Sequence, residues 1–442
     1  MSVKNEHSIY SLDVLRAGHL RYFGRDWGER QKKMSKLIQS LNKPGMLPRQ
    51  FLREAVEAGY VGASINFPDS LFQPASLDLR VKNIVYRLRS TFLPHPQYSI
   101  QSSIDSLAEH IITLDDKDGA ILENNHYYLV PIEETLELPP TLRGRASPKS
   151  SIGRLDVFVR ILAERTTRFD DVPSGYKGNL YALVGPRSFA IVLRPGDCLA
   201  QLRLITTAPG AIVSDDELNR FWSNTPLLYR PRRSDGSSQP IGYERAVLDE
   251  GIFLSADFLR PPRAPLGYKP RRVGSVIDLA KVRFYEAADY WAPVLPDYGL
   301  NAVRLVPDEF YLVRCQEKLS IPPSLAAEML AYDARLGELR SHYAGFFDPG
   351  FGYNPDLGLL GTHPVLEVRT QESFVVQHGH TLCRLQIFRM VEEPDIVYGD
   401  VRLGSSYQEQ QRYPFSKHFR TPADTVSDKI VGIQNELDLG YD

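Results

Sequence analysis

Short runs of alternating apolar and polar residues recur along the chain and predict a structure built mainly from β-strands. Clear examples lie at residues 156–162, 189–193, 302–305 and 373–377. Turns that contain Gly and Pro separate these runs. This spacing favours a β-sandwich or a barrel-like fold over alternating helices and strands.

A helical pattern is rare in the same sequence. At residues 48–58 the side chains of Phe51, Leu52, Ala55 and Val56 share one apolar face, which predicts a helix. We expect a second helix at residues 323–330.

Two segments look like connections between folded units. Residues 1–45 become basic towards their end and predict an extension that faces water or packs on a partner. Residues 234–274 are rich in Pro, Gly and Ser, which indicates a crossing between two halves of the chain.

The two halves resemble each other in sequence, which indicates duplication of one compact domain. The matched positions keep the same spacing further along the chain, and residues 77–79 match residues 277–279 more loosely. We therefore predict a first domain at residues 46–240 and a second at 241–442. The matched positions are Tyr128-Leu129-Val130 with Tyr311-Leu312-Val313, Glu134 with Glu317, Leu142 with Leu325, Gly196 with Gly379, and Leu202 with Leu385.

Composition narrows the class of protein. The chain has 442 residues, of which 43% are hydrophobic and 24% charged, as in water-soluble globular proteins. A formal net charge of -2 argues against nucleic acid as a partner. Without an apolar run of membrane length or an apolar signal core, we expect no membrane partner and a cytoplasmic location. Cys198, Cys315 and Cys383 are widely spaced and read as reduced thiols.

The strongest chemical signal is the segment Lys149-Ser150-Ser151-Ile152-Gly153-Arg154. The guanidinium group of Arg154 offers a planar set of donors to phosphate oxygens, and the hydroxyl groups of Ser150 and Ser151 add neutral donors beside it. The segment therefore suits a polyphosphate. Ala163-Glu164-Arg165, Asp170-Asp171 and Gly175-Tyr176-Lys177-Gly178 follow in order.

This order of motifs resembles the superfamily of dCTP deaminases and trimeric dUTPases over roughly residues 46 to 425, and the two-domain layout resembles the long, duplicated form of dCTP deaminase. The resemblance implies a mainly β fold of two tandem dUTPase-like distorted β-barrel (jelly-roll-like) domains with a few short helices. It also implies a homotrimer with sites between domains. The implied reaction is hydrolytic deamination of dCTP to dUTP and ammonia, with Mg²⁺ on the triphosphate and no zinc. Some relatives go on to cleave dUTP to dUMP.

The resemblance also assigns roles to residues. Ser150, Ser151 and Arg154 match phosphate-binding residues. Ala163 matches an alanine whose carbonyl group helps to hold the attacking water, and Arg165 matches a pocket arginine. Asp171 and Tyr176 resemble the segment that borders the deoxyribose. Residues of a tail that closes over the phosphates are matched by Tyr407, Gln410 and Lys417.

The expected catalytic glutamate is missing from the first half, where Leu183 stands in its place. A leucine cannot carry a proton from water to the ring, as this deamination requires. The second half has Glu367 on the matching strand, but residues 332–337 have lost both serines. We therefore expect one composite site, with the phosphate groups held by Ser150, Ser151 and Arg154 and the water activated by Glu367. Burial in such a site should raise the pKa of Glu367.

Other readings remain open at this point. Glu367 could be an exposed strand carboxylate paired with Arg369. A dUTP pyrophosphatase would use an aspartate such as Asp171 to activate water. A non-catalytic nucleotide-binding protein is favoured by Leu183, and a general jelly-roll binding module is the least specific alternative. A zinc-dependent deaminase is excluded, because the sequence lacks the Cys-x-x-Cys pair and the His-x-Glu segment that it needs.

Overall fold

The computed structural model describes residues 35–231, 237–259, 264–272, 274–297, 301–330, 339–341, 345–408 and 414–420. It is mainly β with a few short helices, as the alternating patterns predict. No helix in these ranges is long and apolar enough to cross a membrane. The helices, after a helical stretch at residues 35–40, are α1 (Arg49–Glu57), α2 (Ile100–Leu107), α3 (Ser150–Gly153), α4 (Asp215–Trp222) and α5 (Ala287–Tyr290), with single 3₁₀ turns at Asp69–Leu71, Tyr243–Arg245, Pro355–Leu357 and Val401–Leu403.

The first half carries most of the long strands. They are β1 (Val61–Gly62), β2 (Leu77–Arg80), β3 (Ile84–Leu88), β4 (Ala108–Thr113), β5 (Ala120–Leu122), β6 (Tyr127–Glu137), β7 (Leu142–Pro148), β8 (Val157–Ala163), β9 (Asp171–Val172), β10 (Lys177–Pro186), β11 (Ala190–Leu193), β12 (Cys198–Thr206), β13 (Leu228–Pro231) and β14 (Ser238–Pro240).

The strands of the second half are shorter. They are β15 (Ile252–Ser255), β16 (Gly267–Pro270), β17 (Val276–Asp278), β18 (Tyr285–Glu286), β19 (Trp291–Val294), β20 (Ala302–Leu305), β21 (Tyr311–Arg314), β22 (Lys318–Leu319), β23 (Leu325–Leu330), β24 (Leu339–Ser341), β25 (Phe346–Phe347), β26 (Tyr353–Asn354), β27 (Leu359–Leu360), β28 (Val365–Thr370), β29 (Phe374–Gln377), β30 (Thr381–Arg389) and β31 (Phe419–Arg420).

The main sheets of the two halves follow the same order. In the first half one sheet runs β2-β12-β7-β9, and a second contains β6-β10-β8. In the second half the matching sheets run β15-β30-β23-β25 and contain β21-β28-β24. In the registers, Leu183 faces Leu129 and Glu367 faces Leu312. Leu129 and Leu312 are matched by the sequence repeat, so Leu183 and Glu367 occupy the same position in their sheets.

The apolar core does not respect the boundary between the halves. Its largest cluster extends from Leu37 to Phe419 and contains Trp291 and Phe310 of the second half beside Phe189 of the first. The ring centroids of Phe189 and Trp291 are 5.4 Å apart in an edge-to-face arrangement. Such aromatic pairs add stability beyond the area that they bury. The two halves therefore fold against each other.

Three sequence expectations about elements are corrected by the structure. Residues 325–330 of the expected helix form strand β23, because apolar residues that are buried on both faces carry no periodic signal. The segment 234–274 is not a plain crossing, since β15 pairs with β30 in a main sheet of the second half. The loose match of 77–79 with 277–279 is also wrong. β2 pairs with β12, and its counterpart is β15, whereas β17 lies parallel to β11.

Candidate functional site

A cavity of about 250 Å³ lies where the two halves meet, and both halves supply its walls. The first half contributes the phosphate-type segment after β7, together with Asp78 and Gln201. The second half contributes Glu367, residues 345–348 and part of the segment from Tyr398 to Lys417. The structure thus brings the two predicted half-sites together within one chain.

The phosphate-type segment forms the short helix α3, directly after strand β7. Its side chains are held close to the wall: Ser151 and Arg154 are each only 6% exposed. Lys149 precedes the helix and forms an ion pair with Asp78, which the sequence argument did not select. Burial acts to lower the pKa of Lys149, but the carboxylate of Asp78 outweighs it and raises that pKa. Cations and hydroxyl groups therefore line one end of the cavity.

Glu367 stands on β28 and faces these cations. Its side chain is buried, and its Oε1 atom lies 4.0 Å from Nε of Arg154. Burial raises the pKa of the Glu367 carboxyl to about 8. The positive charge of Arg154 acts to lower this pKa, and the negative charge of Asp156 raises it by a smaller amount. The pKa shift has the direction expected for a carboxyl group in a closed pocket.

Arg369 does not pair with Glu367. Its Nε atom donates to Oδ1 of Asp156 at 3.1 Å, and a second guanidinium nitrogen contacts the other oxygen of the same carboxylate. The reading of Glu367 as an exposed carboxylate paired with Arg369 is therefore wrong.

A tight turn at 348–351 completes the wall beside Glu367. Gly350 has φ +97°, and a Cβ atom there would lie 2.7 Å from Val397 and 2.8 Å from the backbone of Tyr398, so glycine is required. Asp348 accepts a hydrogen bond from the backbone N–H of Ala75 in the first half at 3.0 Å. Burial raises the pKa of Asp348 to about 7. Asp348 and Phe351 line the cavity and were not among the residues selected from the sequence.

The segment towards the C-terminus closes the cavity from outside. The guanidinium group of Arg154 stacks 4.0 Å from the ring centroid of Tyr407. The backbone N–H of Lys417 donates to the hydroxyl group of Tyr407 at 3.1 Å, and Ser416 Oγ donates to the carbonyl oxygen of Ser151 at 2.6 Å. Burial and the nearby Lys149 lower the pKa of Lys417. The structure thus places Tyr407 and Lys417 at the phosphate-type end, while Gln410 and residues 332–337 lie outside the described residues.

Four further predicted site residues do not line this cavity. Ala163 ends strand β8, and its carbonyl oxygen accepts from the hydroxyl group of Thr166. Arg165 is exposed, with φ +57°. Asp171 pairs with Arg168 at 3.0 Å.

Tyr176 is the fourth residue outside the cavity. It is buried, and its hydroxyl group donates to the carbonyl oxygen of Asn179 at 2.6 Å. These four residues belong to the first half, whereas the second half supplies the cavity wall beside Glu367.

The register places Asp171 at the repeat position of Phe346 rather than at that of Asp348. Asp171 faces Arg145 and Val172 faces Gly144, whereas Phe346 faces Glu328 and Phe347 faces Ala327. Since Gly144 and Ala327 are matched by the repeat, Pro173 occupies the position of Asp348 in the first half. Tyr176 then corresponds to Phe351, which does line the cavity.

The position of Leu183 is filled by apolar side chains. Leu183 belongs to a buried cluster with Leu88, Leu129 and Leu162, and helix α2 adds Ile100 and Ile104 to it. The carboxylate of Glu164 accepts from the backbone N–H of Ile100 at 2.9 Å and so fixes the start of α2. The first half therefore has packed side chains where the second half has Glu367.

Among the described residues, no group of three or more His, Cys, Asp or Glu side chains is arranged to hold a metal ion. The polar side chains of the cavity carry hydroxyl groups, amides, cations and carboxylates. This arrangement suits a phosphorylated ligand whose uncharged end lies beside a protonatable carboxyl group.

Fold and cavity together define a mainly β protein with a polar cavity where its two halves meet. Two family models match the chain: the N-terminal domain of 2'-deoxycytidine 5'-triphosphate deaminase at residues 43–208 and the C-terminal domain at residues 233–419. The chain belongs to the dCTP deaminase family.

Individual relatives cover different shares of the chain. A "dCTP deaminase, dUMP-forming" of Mycolicibacterium vanbaalenii is 31% identical over 164 residues, which are 36% of this chain and 80% of that protein. One of Streptomyces avermitilis is 33% identical over 138 residues, 30% of this chain and 67% of that protein. The crystal structure of 2'-deoxycytidine 5'-triphosphate deaminase from Agrobacterium tumefaciens has a TM-score of 0.70 and 34% identity, and the match covers 80% of this chain and 99% of that one.

Proposed function

We propose that the protein deaminates dCTP to dUTP and ammonia by zinc-independent hydrolysis in the cavity between its halves. One observation carries this proposal: the buried carboxyl group of Glu367 lies 4.0 Å from Arg154 of the phosphate-type segment. A proton-transferring group and an anion-binding group thus face one closed space. Family membership supports the same substrate.

The proposed reaction needs one carboxyl group that first accepts a proton as a general base and then donates it as a general acid. Ionised Glu367 takes a proton from water, and the resulting hydroxide attacks C4 of cytosine. The proton then passes to the ring, a second proton from the water reaches the amino group, and ammonia leaves with the C–N bond electrons. Ser150, Ser151, Arg154 and Lys417 hold the triphosphate, and Tyr407 closes over it. Ala163, Arg165, Asp171 and Tyr176 are not part of this proposed site.

Mg²⁺ would accompany the triphosphate and neutralise part of its charge. The cavity has one group that suits such an ion: Oδ1 of Asp78 is buried and has no hydrogen-bond partner in the described part of the chain. Carboxylate oxygen is a preferred contact of Mg²⁺ and of the water that it carries.

The test is product analysis with two variants. Purified protein is incubated with dCTP and Mg²⁺, with and without a zinc chelator, and the nucleotides and ammonia are measured. We expect deamination that the chelator does not affect. Glu367→Gln should abolish ammonia release while dCTP binding stays within a few-fold. The matched control is Glu372→Gln, which changes an exposed carboxylate beyond the same strand and should remain active. Turnover by Glu367→Gln within a few-fold of the unaltered protein would exclude the assignment.

A second candidate is deamination followed by cleavage of dUTP to dUMP. The relatives from Mycolicibacterium and Streptomyces are named dUMP-forming, which favours it. Asp171 is a poor base for that step, because it pairs with Arg168 outside the cavity. The same chromatogram separates the candidates: dUMP and pyrophosphate appear only with the second step. Binding of dCTP without any product would instead support a non-catalytic nucleotide-binding protein.

Finer features of the molecule belong to the same proposal. We propose two tandem dUTPase-like distorted β-barrels, assembly into a homotrimer and a cytoplasmic location. The matched sheet orders of the two halves support the duplication. Light scattering of the purified protein tests the assembly, since a trimer would have three times the chain mass of 50.0 kDa.

A further inference from the structure

A buried group of charges lies behind the cavity wall, where a sheet of each half meets the other. On the first-half sheet, Arg145 of β7 stands directly opposite Arg203 of β12. On the second-half sheet, Glu328 of β23 stands directly opposite Gln386 of β30. The repeat matches Leu142 with Leu325 and Leu202 with Leu385. Arg145 therefore corresponds to Glu328, and Arg203 to Gln386.

Both arginines of the first-half sheet contact the polar pair of the second-half sheet. Nη2 of Arg203 donates to Oε1 of Glu328 at 2.7 Å. Arg145 lies 2.8 Å from Oε2 of the same carboxylate, and its Nη1 atom donates to Gln386 at 3.4 Å. Two arginines directly opposite each other on neighbouring strands repel. Here Glu328 of the other half supplies a carboxylate that contacts both arginines.

Arg203 also reaches the cavity wall. Its side chain is fully buried, its Nη1 atom donates to Oγ of Ser147 at 2.7 Å, and its guanidinium group stacks 4.5 Å from the ring centroid of Phe346. Phe346 lines the cavity and lies two residues before Asp348. Gln201, two residues before Arg203 on the same face of β12, lines the cavity from the first half. The guanidinium group thus contacts the second-half wall through Phe346 and is held on the first half by Ser147 of strand β7, two residues before Lys149.

We propose that Arg203 is a positioning residue, which fixes residues 346–348 of the second half against the phosphate-type segment of the first. It touches no reacting atom and acts through Phe346. The expected effect on turnover rests on the proposed deamination, whereas the expected effect on the geometry of the wall is independent of it.

Stability and positioning can be separated in this case. Replacing a buried ion pair with apolar side chains of similar size is often neutral or stabilising, because both charges lose their cost of desolvation. Arg145 is 29% exposed and can be solvated when its partner is removed. The double variant Arg203→Met/Glu328→Met should therefore fold while losing the stacked guanidinium group.

The experiment measures three quantities for this double variant. We expect the unfolding temperature to change by a few degrees only. We expect kcat for dCTP to fall by about tenfold or more, since small misplacements of catalytic groups have large effects, with KM changed less than kcat. Hydrogen–deuterium exchange should become faster in the peptide that covers residues 345–351. The control is Arg194→Met/Asp278→Met, which removes an ion pair of 2.5 Å between the halves. Neither residue lines the cavity, so kcat and this exchange should stay unchanged.

A folded double variant with unchanged kcat and unchanged exchange at residues 345–351 would overturn the proposal. If the double variant does not fold, Arg203→Lys keeps the charge and loses the planar stack; unchanged kcat and exchange in that variant would overturn it equally. If the unaltered protein does not deaminate dCTP, the proposed function fails, and the exchange measurement alone decides the role of Arg203.

Discussion

At the scale of single residues, the site depends on one carboxyl group that burial keeps protonated to an unusually high pH. The pKa of Glu367 is raised to about 8, although Arg154 lies 4.0 Å away and favours the charged form. Desolvation therefore outweighs the attraction between the two groups. A carboxyl group whose pKa lies close to neutral pH is well suited to accept a proton and return it.

This pKa predicts the pH dependence of catalysis. The step that begins the reaction needs ionised Glu367, and its pKa in the free protein is about 8. We therefore expect kcat/KM for dCTP to rise with pH below 8 and to level off above it. The measurement is a series of initial rates of ammonia release between pH 6 and 9.5. Glu372→Gln should show the same profile. A profile that is flat, or that falls with pH over this range, would contradict the role of Glu367.

The structure brings some of the residues selected from the sequence to the cavity and leaves others outside it. Ser150, Ser151, Arg154 and Glu367 were found because hydroxyl, guanidinium and carboxyl groups are recognisable without a fold. Asp78 and Asp348 were missed, since only the folded chain brings them to the cavity. The role of Asp171 was predicted from the family resemblance alone, and in the structure this residue pairs with Arg168 outside the cavity.

At the scale of elements, helix α2 fills the space in the first half that corresponds to the surroundings of Glu367 in the second. Its Ile100 and Ile104 pack on Leu183, so the space that matches the surroundings of Glu367 is filled. Leu183→Glu should therefore not create a second site. Burying a carboxyl group without a partner should instead lower the free energy of unfolding by about 3 kcal/mol or more.

Urea unfolding measures this prediction, and Leu183→Met is the matched control, since a swap of similar volume should cost less than about 1.5 kcal/mol. A Leu183→Glu protein as stable as the unaltered one, with raised turnover, would show that the first half retains a latent pocket.

Elements were predicted well where one face is buried and the other exposed. Helix α1 and strand β20 have the predicted positions, because their patterns are periodic. Strand β23 was taken for a helix, since five of its six residues are buried and the sequence shows only an apolar run. Helix α2 was not predicted, and its importance follows from its contact with Leu183, which no local pattern reports.

At the scale of the whole molecule, the backbone before α1 joins the two halves. The N–H of Met46 donates to the carbonyl oxygen of Arg389, and its own carbonyl oxygen accepts from Val391. Met46 also bridges to Ile205 of the first half. Gly45, with φ +150°, permits this approach, because a Cβ atom would lie 2.7 Å from both the carbonyl oxygen of Arg389 and the nitrogen of Val391.

Gly45→Ala should therefore destabilise the protein by about 3 kcal/mol, from backbone strain and from overlap with the second half. Gly59→Ala is the control: Gly59 also has a positive φ, but nothing lies within 4 Å of its added Cβ atom, so only about 1 kcal/mol of strain is expected. Thermal and urea unfolding measure both variants. Equal costs for the two substitutions would contradict the proposed close contact between the halves.

A single composite cavity also predicts the stoichiometry of binding. Because Leu183 and helix α2 fill the matching space of the first half, each chain should bind one nucleotide. Calorimetric titration of Glu367→Gln with dCTP and Mg²⁺ should give one site per chain, without turnover. Two equivalent sites per chain would contradict this account.

The central claim is that one chain supplies both halves of its own site, and complementation of two inactive variants tests it most directly. Arg154→Ala removes the phosphate contact of the first half, and Glu367→Gln removes the proton carrier of the second. Each variant should be inactive, and co-expressed mixed oligomers should remain inactive, because every site carries one defect. If sites formed between chains, random exchange would give about one quarter of sites with both groups intact. Recovery of activity near that fraction would contradict the account.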